Sequence, residues 1–349
     1  MSVSTETSTF LQPWAKTSLV EVTNTLPYKP PCRVFFKNEY EQPSGSFKLR
    51  GIGNLVGKSV EEARRQGKDN IQVLASSGGN AGLAAAYASR FYGVPCTVVL
   101  PRISKPEVLA KLQEYNAETV VYGKNINEAD YYLKNTVMEV YKEKHIIYCH
   151  PFDNPLIWEG HSSIIDEISN QLSGSELQKM KSVVCSVGGG GLYNGIVDGL
   201  KKNKIDKATS MLLIETNQAP TMTESVNAGQ VITLKSVSSL ATSLACSYLS
   251  PKSLENYVDP NGYKSYIETI DDLETIKALI QFYTQTGIVV EPACGAALSV
   301  VYNQIQLLEK NFPLKEDDII VVVVCGGSCT SIEGLQDFKT LVRRQTQKL

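Results

Sequence analysis

The stretch "IIVVVVC", residues 319–325, contains seven apolar residues in a row with no polar alternation. A strand with one face in water alternates polar and apolar side chains, so this pattern predicts a strand buried on both faces, as in a parallel sheet covered by helices. Apolar runs at 71–75, 96–100 and 183–187 are similar, and helical patterns such as the alanine-rich 81–91 alternate with them. The sequence therefore predicts an α/β fold with mainly parallel sheets.

The number of candidate strands predicts more than one sheet. About ten strand-like runs in 349 residues exceed what a single core comfortably holds. The proline-rich stretch 149–155 separates these runs into two series and predicts a soft boundary. We therefore expect two open, twisted, mainly parallel sheets flanked by helices, with a small domain at 48–148 and a large domain formed by 1–47 plus 149–349.

Charge and cysteine content limit the possible partners and compartment. The formal net charge of −2 gives no basic bias, which argues against a nucleic-acid or acidic-membrane partner. The eight cysteines show neither CxxC nor paired metal-ligand spacing, so they predict free thiols in a reducing compartment. Residues 1–14 lack an apolar signal core and no arginine precedes Arg33, so the predicted location is cytoplasmic, while a mitochondrial signal stays open.

Four glycines, Gly188 to Gly191, separate a strand-like run from a helical pattern that begins near Leu192. We call residues 188–191 the glycine loop. Ligands of parallel sheets bind beyond the carboxyl ends of strands, and a run of glycines can present several N–H groups to one phosphate. The spacing lacks a glycine at the sixth position of the dinucleotide motif, although Glu215 at the end of the next strand leaves an NAD site open on that feature alone.

Two further strand-to-loop junctions have an unusual composition. The asparagine loop, "SSGGNA" at 76–81, places hydroxyl and backbone N–H groups at a helix start, which suits a carboxylate; the alternative is an ordinary Ser/Asn helix cap. The cysteine loop, "CGGSCTS" at 325–331, begins with Cys325, whose alternative role is that of a buried structural cysteine. A third segment, "SGSFKLRG" at 44–51, places Lys48 between two glycines and is called the lysine turn.

The lysine turn, "SSGGNAG", "SVGGGG" and "CGGS", in this order and spacing, resemble the fold type II pyridoxal-phosphate enzymes, which are tryptophan synthase β-like in fold. Within that group they look like the catabolic L-serine/L-threonine dehydratases, or ammonia-lyases. The stretches "HPFDNPLIWEGHSS" (150–163) and "VEPACGAAL" (290–298) are similar to the same branch. The resemblance covers roughly residues 16–331, and the large domain is then the cofactor-binding one.

The resemblance implies a role for each motif. Lys48 would form the Schiff base with pyridoxal 5′-phosphate and remove the substrate α-proton, and Phe47 would lie against the pyridine ring. Cys325 would face the pyridine nitrogen, and a thiol there weakens the electron sink and favours elimination over transamination. The cofactor-binding residues implied are Phe47, Lys48, Asn80, Gly188, Gly189, Gly190, Gly191, Leu192 and Cys325. The substrate-binding residues implied are Ser77, Gly78, Gly79, Asn80 and Ala81. The resemblance also implies a monovalent-cation site, for an ion such as K⁺, formed by Glu215, Ala219 and Gly188.

The implied reaction is β-elimination of L-serine to pyruvate and ammonia, and of L-threonine to 2-oxobutanoate and ammonia. We expect the leaving hydroxyl to be protonated through the cofactor phosphate, because no histidine or carboxylate appears in the three site loops. His150 and His161 flank "PFDNPLIWEG" and are expected to line or support the site. The resemblance also suggests a cytoplasmic homodimer that works in amino-acid catabolism and gluconeogenesis on a small amino-acid substrate.

Several alternatives remain at this point. Serine racemase, cysteine synthase and threonine synthase are the nearest enzymes, but many relatives carry a histidine where Ala81 follows Asn80 here. Biosynthetic threonine dehydratase has a long C-terminal regulatory domain, whereas only about 18 residues follow Ser331, so control by isoleucine is not expected. A pyridoxal-phosphate-binding protein without turnover would lose Lys48, and an NAD-dependent dehydrogenase would lack the absorbance of a Schiff base.

Overall fold

The computed structural model describes residues 11–346. Residues 1–10 and 347–349 lie outside the described residues, and with them most of the N-terminal segment used for the targeting prediction. The strands are β1 (Leu19–Glu21), β2 (Arg33–Asn38), β3 (Ile71–Ser76), β4 (Cys96–Leu100), β5 (Glu118–Val121), β6 (His145–Cys149), β7 (Met180–Ser186), β8 (Ser210–Thr216), β9 (Ser265–Ile270) and β10 (Ile319–Val324).

The helices of the described residues cover both sheets. They are α1 (Lys48–Arg65), α2 (Asn80–Tyr92), α3 (Pro106–Glu114), α4 (Ile126–Tyr132), α5 (Met138–Val140), α6 (Pro155–Gln171), α7 (Gly174–Lys179), α8 (Gly191–Lys202), α9 (Thr221–Ala228), α10 (Pro251–Val258), α11 (Asp272–Thr286), α12 (Pro292–Tyr302), α13 (Gln306–Asn311) and α14 (Ile332–Thr346). A 3₁₀ turn at Glu39–Glu41 precedes α1, and a π-helical stretch at Leu133–Val137 joins α4 to α5.

The strands form two sheets. One has six strands in the order β1-β2-β10-β7-β8-β9, and the other has four in the order β5-β4-β3-β6. Every pairing is parallel except that of β1 with β2. All six side chains of β10 are fully buried in the middle of the larger sheet, as its unbroken apolar pattern requires. The predicted fold class is confirmed.

Each sheet has a hydrophobic core of its own. One core lies around the six-stranded sheet and includes Val183, Leu212 and Val322. Another lies between α1, α2 and the four-stranded sheet and includes Ile52 and Ala85. The four-stranded sheet uses only residues 71–149, which is close to the predicted small domain, and the division into domains stays a prediction.

The cysteines form no disulfides, and the helices of residues 11–346 differ from a membrane span in length or apolar character. All eight cysteines are free, and Cys246 and Cys329 are the two that are not fully buried. Among residues 11–346, no helix combines the length and the apolar character that crossing a bilayer needs.

Candidate active site

Lys48 is the first residue of α1, and backbone hydrogen bonds join the lysine turn to the residues that follow β10. The backbone N–H of Phe47 donates to the carbonyl oxygen of Cys325 at 3.2 Å, and Ser46 pairs with Gly326 in an isolated bridge. The Lys48 Nζ donates to the carbonyl oxygen of Pro151 at 2.6 Å. The side chain therefore crosses from the start of α1 to the segment that follows β6.

Burial lowers the pKa of Lys48 from its ordinary value, although the thiols of Cys246 and Cys325 act weakly in the opposite direction. A buried ammonium loses hydration that a single carbonyl does not replace, so the neutral amine is favoured. A neutral amine is the form that attacks an aldehyde or accepts a proton. The position of Lys48 thus prepares it for covalent and base chemistry.

The glycine loop joins β7 to the start of α8, and neighbouring groups exclude side chains from it. Gly190 has a φ of +86°, in the left-handed region that favours glycine. A Cβ on Gly189 would overlap the ring of Phe152, and one on Gly190 would overlap the hydroxyl of Ser253. The first N–H groups of a helix have no carbonyl partners within it, so this bare backbone at the α8 start can bind an anion. Leu192, which follows, is buried in the core.

The asparagine loop joins β3 to α2, which begins at Asn80. The Ser77 hydroxyl accepts a hydrogen bond from the Gly79 N–H at 3.2 Å. A Cβ on Gly78 would overlap the hydroxyl of Ser104, and one on Gly79 would lie 3.5 Å from the Cys329 sulfur. Ala81 is buried in the first turn of α2. The structure therefore brings the asparagine loop of the smaller sheet against the cysteine loop of the larger one.

Glu291 holds Asn80 in one orientation, and sequence reasoning did not identify it. The Asn80 Nδ2 donates to Glu291 Oε1 at 2.9 Å, while Asn80 Oδ1 accepts from the Ser328 N–H at 3.0 Å. The Cys329 N–H donates to the same Glu291 oxygen at 2.8 Å, and the Ser243 hydroxyl donates to Oε2 at 2.5 Å. A buried carboxylate needs such partners. Its only sequence signal was the position of Glu291 directly before α12 in "VEPACGAAL".

Cys325 lies at the carboxyl end of β10 and is buried. Burial raises the pKa of its thiol to about 12, so it stays protonated and neutral near pH 7. Its carbonyl oxygen also accepts from the Phe47 N–H, which links Cys325 to the residue before Lys48. Cys325 thus lies beside the lysine turn, and its predicted role toward a pyridine nitrogen stays a prediction.

Glu215 at the end of β8 is fully buried, and both of its carboxylate oxygens have partners. Oε1 accepts from the Met222 N–H at 2.6 Å, and Oε2 accepts from the N–H and the hydroxyl of Thr223 at 2.8 and 2.9 Å. Burial nevertheless raises the pKa of Glu215 to about 7. Glu215 therefore caps the start of α9, a role that the sequence did not predict.

The other two predicted cation ligands lie on either side of this carboxylate in the chain. The N–H of Ala219 donates to the Thr216 carbonyl oxygen at 3.0 Å, in the turn that follows β8. A Cβ on Gly188 would lie 3.0 Å from the Leu244 Cα, so Gly188 packs against the segment before α10. Within residues 11–346, no group of three or more His, Cys, Asp or Glu side chains forms a metal site. A cation here would need backbone carbonyl oxygens in addition to the Glu215 carboxylate.

His161 is fully buried with both ring nitrogens unpaired, and its ring centre lies 5.0 Å from that of Phe47. Burial, followed by the charges of Lys48 and Arg50, lowers the pKa of His161 well below its ordinary value. A Cβ on Gly51 would overlap this ring, and one on Gly195 would overlap the His161 Cβ, so His161 fills the space between α1, α6 and α8. The neutral imidazole supports the lysine turn by packing.

Two mainly parallel sheets bring together a lysine whose pKa burial lowers and a glycine loop that excludes side chains. These features define the site of an enzyme that uses an aldehyde cofactor with an anionic tail. The amine, the neutral thiol of Cys325 and the N–H groups of the glycine loop fit such a group. Residues 11–326 match the family described as pyridoxal-phosphate dependent enzyme. The chain belongs to this family.

Individual relatives are similar over nearly the whole chain. The chain is 42% identical to the catabolic L-serine/threonine dehydratase of Saccharomyces cerevisiae, over 91% of this chain and 89% of the relative. It is 35% identical to the L-serine dehydratase/L-threonine deaminase of Mus musculus, over 88% and 89%. The crystal structure of an L-serine ammonia-lyase from Rhizomucor miehei superposes with a TM-score of 0.83 at 30% identity, over 95% of this chain and 99% of that one.

Proposed function

We propose that the protein is an L-serine/L-threonine ammonia-lyase, which converts L-serine to pyruvate and ammonia, and L-threonine to 2-oxobutanoate and ammonia. The observation that carries the proposal is the half-buried Lys48 side chain, whose amine donates to the Pro151 carbonyl oxygen next to the glycine loop. The yeast and mouse relatives and the Rhizomucor structure, all at least 30% identical, bear names of this activity. Pyridoxal phosphate, when bound, supplies an electron sink for negative charge at the substrate α-carbon.

The chain's own residues supply base, anion binding and orientation. Lys48 Nζ is the base for the α-proton, since burial favours its neutral form. The glycine loop would hold the cofactor phosphate at the start of α8. Asn80, fixed by Glu291, would direct its remaining amide hydrogen at the cofactor oxygen, because Oδ1 already accepts from the Ser328 N–H.

The asparagine loop would bind the substrate carboxylate. Residues Ser77 to Ala81 lie at the start of α2, where backbone N–H groups and the positive end of the helix dipole favour an anion. The Ser77 hydroxyl oxygen accepts from the Gly79 N–H, so the hydroxyl hydrogen is left to donate to a ligand. Substrate binding would then draw together this loop and the cysteine loop against which it already packs.

The activity is tested by incubating the purified holoenzyme with L-serine, L-threonine or D-serine and following 2-oxo acid and ammonia. We expect equal amounts of 2-oxo acid and ammonia from the two L-amino acids and little from D-serine. Serine racemase is the alternative function, and it would instead give D-serine from L-serine, detected by chiral chromatography. Racemisation without 2-oxo acid release would contradict the proposal.

Domain division and assembly are part of the proposal. We assign residues 48–148 to the small domain and 1–47 plus 149–349 to the large one. The four-stranded sheet and the buried members of its core, apart from Ile157 of α6, come from the continuous segment 49–149. We further propose a cytoplasmic homodimer in amino-acid catabolism and gluconeogenesis, as the family resemblance suggests. Light scattering of the purified protein and fractionation of the source cells test these two statements.

A monovalent cation such as K⁺ is proposed to bind near Glu215 and Ala219, beside the segment that packs on Gly188. Glu215 is buried and already oriented by two N–H groups, so a small cation could share its charge. Exchanging K⁺ for bulky tetramethylammonium is then expected to lower kcat/KM severalfold and to lower the Tm. Glu215→Gln is expected to remove this dependence, whereas Glu224→Gln, an exposed carboxylate on α9, keeps it. Equal activity in both cations would contradict the site.

A further inference from the structure

His150 and Tyr248 form a pair that joins two distant segments beside Lys48. His150 follows β6 and directly precedes Pro151, whose carbonyl oxygen accepts from Lys48 Nζ. Tyr248 lies between α9 and α10. The His150 Nε2 and the Tyr248 hydroxyl oxygen are 2.9 Å apart.

The backbone fixes which nitrogen of His150 carries the proton. Its Nδ1 accepts from the Asp153 N–H at 2.8 Å and from the Phe152 N–H at 3.3 Å. The proton of the neutral ring must therefore be on Nε2, which donates to the Tyr248 oxygen. Burial lowers the pKa of His150 to about 4, so this arrangement holds through neutral pH.

The direction of that hydrogen bond leaves the Tyr248 hydroxyl with a hydrogen to donate. A phenol has one O–H hydrogen, and its oxygen is already accepting from His150. Within residues 11–346, the Tyr248 oxygen has no second hydrogen-bond partner. A ring that is 37% exposed with an oriented, unused donor is suited to a ligand.

Tyr248 lies next to the glycine loop. Its ring packs on Phe152, with ring centres 5.3 Å apart, and a Cβ on Gly189 would overlap the Phe152 ring. Two residues after Tyr248, the Ser250 N–H donates to the Gly189 carbonyl oxygen at 3.0 Å. Tyr248 thus contacts His150, which precedes the Pro151 anchor of Lys48, and Phe152, which packs on the loop that would hold the cofactor phosphate.

We propose that Tyr248 is a specificity-determining residue that donates a hydrogen bond to the β-hydroxyl of the substrate, and that His150 positions it. The inference rests on the proposed function and names how the site would recognise that function's substrates. Burial raises the pKa of the Tyr248 phenol, which disfavours a tyrosinate. Tyr248 therefore keeps its proton and orients the C–O bond, and it is not the acid that protonates the leaving group.

The test compares L-serine with β-chloro-L-alanine, whose chloride leaves without a strong hydrogen bond. In the holoenzyme, Tyr248→Phe is expected to lower kcat/KM for L-serine about tenfold, and to change that for β-chloro-L-alanine less than about twofold. Tyr122→Phe, whose ring has a similar exposure of 43%, is the matched control and is expected to change neither. An equal effect of Tyr248→Phe on both substrates, or none on L-serine, overturns the inference.

A binding measurement separates recognition from a merely structural role. L-Alanine lacks the β-hydroxyl and cannot be eliminated, so its Kd by calorimetry is expected to be the same for the wild type and Tyr248→Phe. Weaker L-alanine binding in the variant means that Tyr248 shapes the site generally, and overturns the inference. If the wild type turns over both substrates while Tyr248→Phe leaves the ratio of their kcat/KM values unchanged, the proposed function stands and the role of Tyr248 is refuted. If the wild type releases no 2-oxo acid from L-serine, both fail.

Discussion

Lys48→Ala is expected to lower 2-oxo acid release from L-serine by about 10⁴-fold or more, since it removes both the covalent attachment and the base. The amine cannot be replaced by a neighbour, because Lys48 enters the site from the first turn of α1 and is held there by Pro151. Folding is expected to survive the change, because burial already penalises the charged form of Lys48 in the wild type. A steady-state assay of 2-oxo acid release measures the loss of activity, and the midpoint of urea unfolding checks that the variant is folded.

A covalent label gives a readout that does not depend on activity. Borohydride treatment of the wild type incubated with pyridoxal phosphate is expected to leave a pyridoxyl group on the peptide that contains Lys48, found by mass spectrometry. Lys58→Ala is the matched control, because Lys58 lies on the same helix with a side chain 40% exposed. This variant is expected to keep the label on the Lys48 peptide. A label on another lysine of the wild type, or an active Lys48→Ala protein, would refute the assignment.

The second large effect is expected on stability, from Arg50→Ala. Arg50 is fully buried, and its Nε and Nη2 donate to the two oxygens of the buried Glu39 at 2.7 and 2.9 Å. Its Nη1 donates to Glu167 Oε1 at 2.7 Å, while the buried Lys37 donates to Glu167 Oε2 at 2.5 Å. Removing the guanidinium leaves the buried Glu39 carboxylate without its charged partner, with only the neutral donors Thr17 and Gln42. The free energy of unfolding should therefore fall by about 3–5 kcal/mol.

Urea unfolding checks this value, with Arg65→Ala as the control. Arg65 also lies on α1 and pairs with Glu62, but its side chain is 72% exposed, so its loss should change the free energy of unfolding far less than the loss of Arg50 does. Because Arg50 lies two residues after Lys48, the Arg50→Ala protein is also expected to bind pyridoxal phosphate more weakly. An unfolding free energy close to that of the Arg65 variant would show that Arg50 does not hold this end of α1.

Patterns that are local in the sequence gave the fold class and most of the candidate site. The apolar run of β10 and the glycines at 188–191 are readable because burial on both faces excludes polar residues, and close approach to Phe152 excludes side chains. Lys48 stood out because of its neighbours in the lysine turn. The family resemblance then supplied roles for these positions, and the match over residues 11–326 confirms the family.

Contacts between distant segments were outside the reach of those patterns. Glu291 reaches Asn80 across 211 positions, and His150 reaches Tyr248 across 98. Neither Glu291 nor Tyr248 has a local pattern that marks it, because its chemistry depends on the partner it meets. The same holds for Glu215. The resemblance implied a cation ligand there, whereas its hydrogen bonds to the first N–H groups of α9 became visible only in the structure.

The sequence by itself determined the layered parallel architecture, the glycine loop and the lysine, since steric and hydrophobic requirements act on neighbouring residues. Only the tertiary structure decided the ionisation and orientation of the groups around that lysine. Burial lowers the pKa of Lys48 and His150, and the hydrogen bonds that orient Asn80 and Tyr248 join residues far apart in the chain. Desolvation and hydrogen-bond direction are properties of the packed molecule, so no single stretch of sequence contains them.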